Sequence, residues 1–143
     1  MEFFAKEFSK LSQYELYEIL KSRAEVFLLE QGIVCQDLDD VDKSALHCYF
    51  EKDGRVVAYL RAFKTAEDTV TVGRVLTLDH RKGHGTLLME KSMSEIKNHF
   101  GCKKISLHAQ KRSAGFYEKL GFSVTSDEFL EAGVVHITME KEV

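Results

Sequence analysis

The sequence predicts an α+β fold, a central mixed and mostly antiparallel sheet flanked by helices. Three observations carry this. Three β-rich runs follow one another through the first half of the chain, joined by short turn signals. A basic loop with two glycines, Arg81-Lys82-Gly83-His84-Gly85, leads from the third run into a strongly helical pattern. A strand, a short helix and a terminal hairpin then close the chain. The central strand–loop–helix–strand unit supplies one parallel pair to an otherwise antiparallel sheet. At 143 residues the chain is expected to form one domain, 1–143, large enough to bury a core.

Each element has a local reason. Residues 2–8 alternate weakly, as a first strand would. Ser12 and Glu15 form a capping box, so a helix should start at Gln13. Leu16, Ile19, Leu20, Arg23 and Phe27 recur at helical spacing, and Gly32 stops the run. Residues 33–45 are polar and acidic and read as a loop or a short second helix. Strands at 46–51 and 56–63 flank the turn Lys52-Asp53-Gly54. A turn at 65–68 leads to a β-branched strand at 69–78. Leu87, Leu88, Ile96 and Phe100 mark one face of the long helix, which Gly101 caps. A buried strand at 104–109 and a short helix at 112–120, stopped by Gly121, follow. Strands at 122–129 and 134–140 close around Glu131-Ala132-Gly133. The expected order is β-α-α-β-β-β-α-β-α-β-β. The chain has no proline, so sharp turns must rely on Gly, Asp or Asn.

Composition narrows the partners. Twenty basic residues against 23 acidic ones leave a net charge of −3, which gives no global attraction for nucleic acid or an anionic membrane. No run approaches the roughly 20 apolar residues of a membrane span, and residues 1–8 do not read as a signal peptide. Cys35, Cys48 and Cys102 are widely spaced with no C-x-x-C pair, so no zinc site is expected. Free thiols fit a reducing, cytoplasmic setting. Asp37, Asp39, Asp40 and Asp42 lack the glycine and distal glutamate of a calcium loop. No metal is expected there, and a surface loop is the simplest reading.

The glycine loop has its own chemistry. Gly83 and Gly85 allow a tight turn that exposes backbone N–H groups. A helix starting near Thr86 adds its positive dipole end, and Arg81, Lys82 and His84 add side-chain donors. That is an anion site suited to a phosphate-bearing cofactor. Two glycines before a helix also occur for geometry alone, and G-x-x-x-x-G-K-[ST] is absent.

The order of elements, with a glycine loop after the third middle strand, resembles the GNAT N-acetyltransferase fold. His108-Ala109-Gln110, five residues, then Phe116-Tyr117-Glu118-Lys119-Leu120-Gly121-Phe122 is similar to that family's F-Y-x-x-x-G-F half-site. The A-Q-x(5)-F-Y spacing is similar to the ElaA/YjcF-type group of small bacterial members. Arg23-Ala24-Glu25-Val26-Phe27-Leu28-Leu29-Glu30-Gln31 resembles the group's R-x-x-V-F-x-x-E-Q helix end. The acidic stretch at 37–42 resembles its loop, and Glu131 to Met139 resembles its E-x-G-I-P-H-x-x-M tail. The resemblance runs from about residue 12 to residue 140. Two departures stand out. His80 occupies the Q/R position of the family's Q/R-x-x-G-x-G/A loop, which is also about two residues short. Val135 stands where relatives carry proline.

The resemblance implies acetyl-CoA, or another acyl-CoA, as donor and a primary amine, small or peptidic, as acceptor, by direct attack in a ternary complex. It implies pyrophosphate on Gly83, His84, Gly85 and Thr86, with Arg81 or Lys82 replacing the missing arginine. The pantetheine arm would pair with the third middle strand, and the N–H of Leu76 or Thr77 would face the thioester oxygen. Tyr117 would be the general acid, although it reads equally as a helix residue packing on Phe122. Glu30 and His136 are the candidate bases. Each also reads as an ordinary helix-end or strand residue. Arg23 sits on an apolar helix face and needs a partner. Glu30, an acid at 37–42 or a substrate carboxylate could supply it. Gln110 joins Arg23 as an expected acceptor ligand. His47 and His108 lie in expected strands and read as structural. Homodimers are common among such small proteins. The shortened loop also leaves open a non-catalytic CoA-binding sensor or partner-binding module.

Overall fold

The computed structural model describes all residues, Met1–Val143. Strand β1 (Glu2–Glu7) leads through a short turn into α1 (Gln13–Arg23). The capping box forms as the sequence requires: Ser12 Oγ accepts from the Glu15 N–H and the Glu15 carboxylate accepts from the Ser12 N–H. Beyond Arg23 the helix widens into a π-helical segment, Ala24–Glu30, and stops at Gly32, whose φ is +68°. Residues 33–45 hold no second α-helix, only a single 3-10 turn at Val41–Ser44.

Strands β2 (Leu46–Lys52), β3 (Arg55–Ala66) and β4 (Thr69–Thr77) then run as an antiparallel meander. The first turn places Asp53 and Gly54 at φ of +51° and +77°, the left-handed pair that a tight hairpin needs. Helix α2 (His84–Phe100) follows, two residues earlier than its glycine pattern suggests, and Gly101 caps it at φ +64°. Strand β5 (Lys104–Gln110), helix α3 (Ala114–Lys119), β6 (Ser123–Val124), β7 (Phe129–Glu131) and β8 (Val134–Glu142) complete the chain.

The eight-stranded sheet has the order β1-β2-β3-β4-β5-β8-β6, with β7 also on β8. Only β4 and β5 are parallel. The strand expected at 122–129 is therefore two strands. Their pairing with β8 shifts by two residues between β6 and β7. Within that step Ser126 Oγ takes the Thr138 N–H, a ladder bond a neighbouring strand would otherwise accept.

Alternation along β2 and β3 divides the interior. Leu46, Cys48, Phe50, Ala58, Leu60 and Ala62 join Leu88, Met89 and Ile96 of α2 in the larger core. Tyr49, Val56 and Tyr59 pack beneath Ile19 and Val26 on the other face. Each fully buried Leu or Ile contributes roughly 2 kcal/mol. Cys48 and Cys102 are buried and Cys35 exposed, all three as free thiols. No helix is long and apolar enough to cross a membrane.

The acidic loop lies at the surface, as expected, but its acids are not merely solvated. Asp42 is buried, and Asp37, Asp39 and Asp42 serve as counter-ions for Arg23, Arg61 and Arg74. The physical reason lies in the sheet face below. Arg23 and Arg61 point into an apolar layer, where an unpaired charge is prohibitive. Sharp turns also use residues beyond Gly, Asp and Asn, since Arg81 and Ala132 adopt φ of +64° and +50°, and Arg74 adopts +54° within β4, where the pairing with β3 shifts.

Candidate active site

Strands β4 and β5 pair from Thr69–Lys104 to Val72–Leu107 and then part. Beyond Val72, β4 pairs only with β3, while β5 pairs only with β8. A wedge opens in the middle of the sheet. It widens into a cleft of about 1380 Å³ that runs from the glycine loop to β8. The Leu78 N–H is donated to the Val57 carbonyl of β3. Alternation therefore turns the Thr77 N–H the other way, into the wedge, and leaves Leu76 facing β3.

The glycine loop forms one end. Gly83 caps α2 at φ +75°, and Arg81 precedes it at φ +64°. Leu87 donates back to Gly83, but the N–H groups of Gly83, His84, Gly85 and Thr86 have no acceptor within the chain. Four unpaired donors at a dipole end form a cradle for an anion. His84 Nδ1 is likewise buried and unpartnered. Arg81 and Lys82 are exposed beside the cradle. Gly85 has a second reason to lack a side chain: a Cβ there would stand 3.2 Å from Phe116 Cζ. That close approach docks α3 against the loop and fixes the next residue, Tyr117.

Tyr117 is 7% exposed, and its ring packs edge-on against Phe122 with centroids 6.0 Å apart. Its hydroxyl has no partner in the chain and meets the cleft. Burial alone pushes its pKa up to about 12, so the phenol stays protonated at any physiological pH.

Glu30, Gln110 and His136 also line the cleft. Glu30 closes the π-helical segment and is bonded to His80 of the glycine loop, bridging the cleft mouth. Gln110 donates to Gln31 Oε1 at 3.0 Å and accepts from Arg112 Nε at 2.9 Å. It ties the end of the first helix to the start of α3. His136 is 7% exposed, and its Nδ1–H donates to the Val134 carbonyl at 2.7 Å. That bond fixes the tautomer and leaves the Nε2 lone pair free.

Arg23 requires a correction. It is 0% exposed and does not line the cleft. Its guanidinium donates to Asp42 Oδ1 at 2.7 Å, Asp37 Oδ2 at 3.1 Å and the Asp37 carbonyl at 2.9 Å. All three of its nitrogens are engaged within the chain, and the residue lies away from the cleft where a substrate carboxylate would sit. Arg61 clamps Asp39 with two bonds of 2.7 and 2.6 Å and shares Asp42. Beneath them His47 Nε2–H donates to the Asp42 carbonyl and Nδ1 accepts from Tyr59 Oη. Burial lowers the His47 pKa and keeps that ring neutral.

Two residues escaped the sequence reading. His108, read as structural, lies exposed on β5, lines the cleft and bonds Glu131, which lines it too. The alternation Ser106, His108, Gln110 along β5 was the available signal, because Gln110 shares the face of His108.

A sheet split at a parallel pair, opening beside a helix start with free amides, defines the fold of the acyl-CoA N-acyltransferases. The model of the acetyltransferase (GNAT) domain matches residues 12–143. A UPF0039 protein of Schizosaccharomyces pombe is 34% identical over 147 residues, covering 100% of this chain and 98% of its own. Protein ElaA of Escherichia coli is 34% identical over 141 residues, 94% of this chain and 92% of its own. The ElaA crystal structure superposes with a TM-score of 0.91 over 99% of this chain and 100% of that one. The crystal structure of an acyl-CoA N-acyltransferase from Pseudomonas aeruginosa, 30% identical, gives 0.91 over 99% of both chains. The chain belongs to the GNAT acetyltransferase family.

Proposed function

We propose that the chain is an N-acyltransferase that moves an acetyl group from acetyl-CoA to a primary amine. One observation carries this reading. A single cleft connects four unpaired amides, the open edge of β4, the Tyr117 hydroxyl and the free nitrogen of His136. The pairing groups suit an acyl-CoA from end to end. Gly83, His84, Gly85 and Thr86 receive the pyrophosphate, flanked by Arg81 and Lys82. The β4 edge receives the amides of the pantetheine arm as an added strand would. The name of the Pseudomonas aeruginosa relative is consistent with such a donor.

Each remaining group then has a task. The Thr77 N–H, with Leu76 beside it, donates to the thioester oxygen as negative charge develops there. The acceptor arrives as an ammonium ion and gives a proton to His136 or to Glu30. His136 is the better placed, because Glu30 is engaged by His80. The freed amine attacks the carbonyl carbon, and Tyr117 protonates the departing sulfur. A phenol at about 12 protonates an ordinary thiolate of about 8.5 only uphill. Desolvation in the same cleft raises the basicity of the thiolate as well, which narrows the gap. Gln110 shapes the acceptor end through its bonds to Gln31 and Arg112.

The test is release of free CoA thiol from acetyl-CoA across a panel of amines. Turnover above hydrolysis is expected with at least one amine. Tyr117→Phe should lower kcat by about tenfold or more with little change in melting temperature, since the hydroxyl bonds nothing in the chain. Hydrolysis alone with every amine, together with an unaffected Phe variant, would overturn the proposal. A CoA-binding module without turnover is the second reading, favoured by the His80–Glu30 bond across the cleft mouth. It would show stabilisation by CoA and no transfer.

A further inference from the structure

Three ionisable side chains meet where β5, β8 and β7 lie side by side. Gln110 and Phe129 both stand opposite His136, so His108 and Glu131, two residues along from each, share its face. His136 Nε2 lies 3.6 Å from Glu131 Oε2. The other carboxylate oxygen, Oε1, accepts from His108 Nδ1–H at 2.9 Å. Phe129 spaces the two rings, stacked on His136 at 6.1 Å and edge-on to His108 at 5.1 Å.

Exposure is graded along this row. His136 is 7% exposed, while the side chains of Glu131 and His108 are 49% and 45% exposed. A sheltered imidazole is thus backed by a wetter carboxylate, itself held by an imidazole in contact with solvent. The other polar groups near His136 are committed elsewhere. Gln110 is spent on Gln31 and Arg112, and Glu30 on His80. The three side chains do not form a metal-ligand group.

We propose that Glu131, held in place by His108, completes the base of the transfer reaction. This rests on the transferase reading above. An N–H bond of the acceptor's ammonium breaks, and its electron pair stays on the nitrogen that will attack. The proton forms a new bond to His136 Nε2. The positive charge now sits on a ring whose Nε2 stands 3.6 Å from the Glu131 carboxylate, a counter-charge at ion-pair distance. Without that carboxylate the imidazolium forms in a sheltered place with no counter-charge. Glu131 and His108 touch no reacting atom and are positioning residues. Both act through His136.

The experiment begins with the intact protein and an amine that the wild type acetylates. If the wild type acetylates none, the transferase reading fails. With turnover in hand, Glu131→Gln should lower kcat by about tenfold and leave KM for acetyl-CoA within about twofold. In the His136→Gln background the same change should have almost no further effect, because its route is already gone. His108→Ala should lower kcat less, by about threefold to tenfold. His108→Asn, whose amide N–H stands where Nδ1–H stood, should restore most of the loss. Undiminished kcat in Glu131→Gln would overturn the proposal. So would multiplicative losses in the double variant, or an Asn variant no better than Ala.

Discussion

Arg23 carries a full positive charge with none of its surface in water. It persists there because Asp42 and Asp37 take up its donors and Asp42 is shared with Arg61. Burial would raise the Asp42 carboxyl pKa, but bonds from Arg23 and Arg61 hold it below the usual carboxylate range. Removing that one negative charge would leave two guanidinium groups facing each other in a dry layer. Asp42→Asn should therefore cost about 3 kcal/mol or more in chemical denaturation, while Asp40→Asn, at an exposed position, should cost less than about 0.5 kcal/mol. The need of Arg23 for a partner was visible in the sequence, because a charge interrupts an apolar helical stripe. Its choice of partner was not. Asp37 and Asp42 lie 14 and 19 residues away, and nothing local singles them out from Glu30.

The first helix shows at element scale which signals are local. Its start was legible because the capping box needs only Ser12 and Glu15. Its π-helical second half was not, since the widened turn answers to packing against the sheet rather than to propensity. Glu15 also reaches outward: it accepts from Lys6 Nζ at 2.6 Å and from Tyr49 Oη at 2.7 Å. Burial opposes its charge, yet these bonds and the Ser12 N–H lower its pKa from 4.5 to about 2. A carboxylate depressed on folding stabilises the fold fully above its unfolded value. That stabilisation drains away as pH falls toward about 2. Glu15→Gln should cost about 2 kcal/mol at pH 7, read from urea midpoints, and the gap from wild type should shrink steadily between pH 4.5 and pH 2. An equal gap at both ends would mean that the cost comes from packing.

At the scale of the molecule, the meander, the glycine loop and the long helix were legible because each rests on neighbours in sequence. Asp53-Gly54 turns the hairpin, and Gly83 and Gly101 bracket α2. The division of the last strand into β6 and β7, and the meeting of His108 with Glu131 across 23 residues, depend on register between distant strands and left no local trace. The parting of β4 from β5 carries a consequence for solvent. A strand bonded on one flank only should show two rates of amide hydrogen–deuterium exchange, interleaved along its length. Leu78, donating to Val57, should exchange slowly, and Thr77 next to it fast. Saturating the protein with acetyl-CoA, whose thioester oxygen would accept from Thr77, should slow Thr77 and leave Leu78 as it was, so the comb of fast and slow positions would become uniform protection. A comb unchanged by acetyl-CoA would mean that this flank stays bathed in water even when the protein is loaded.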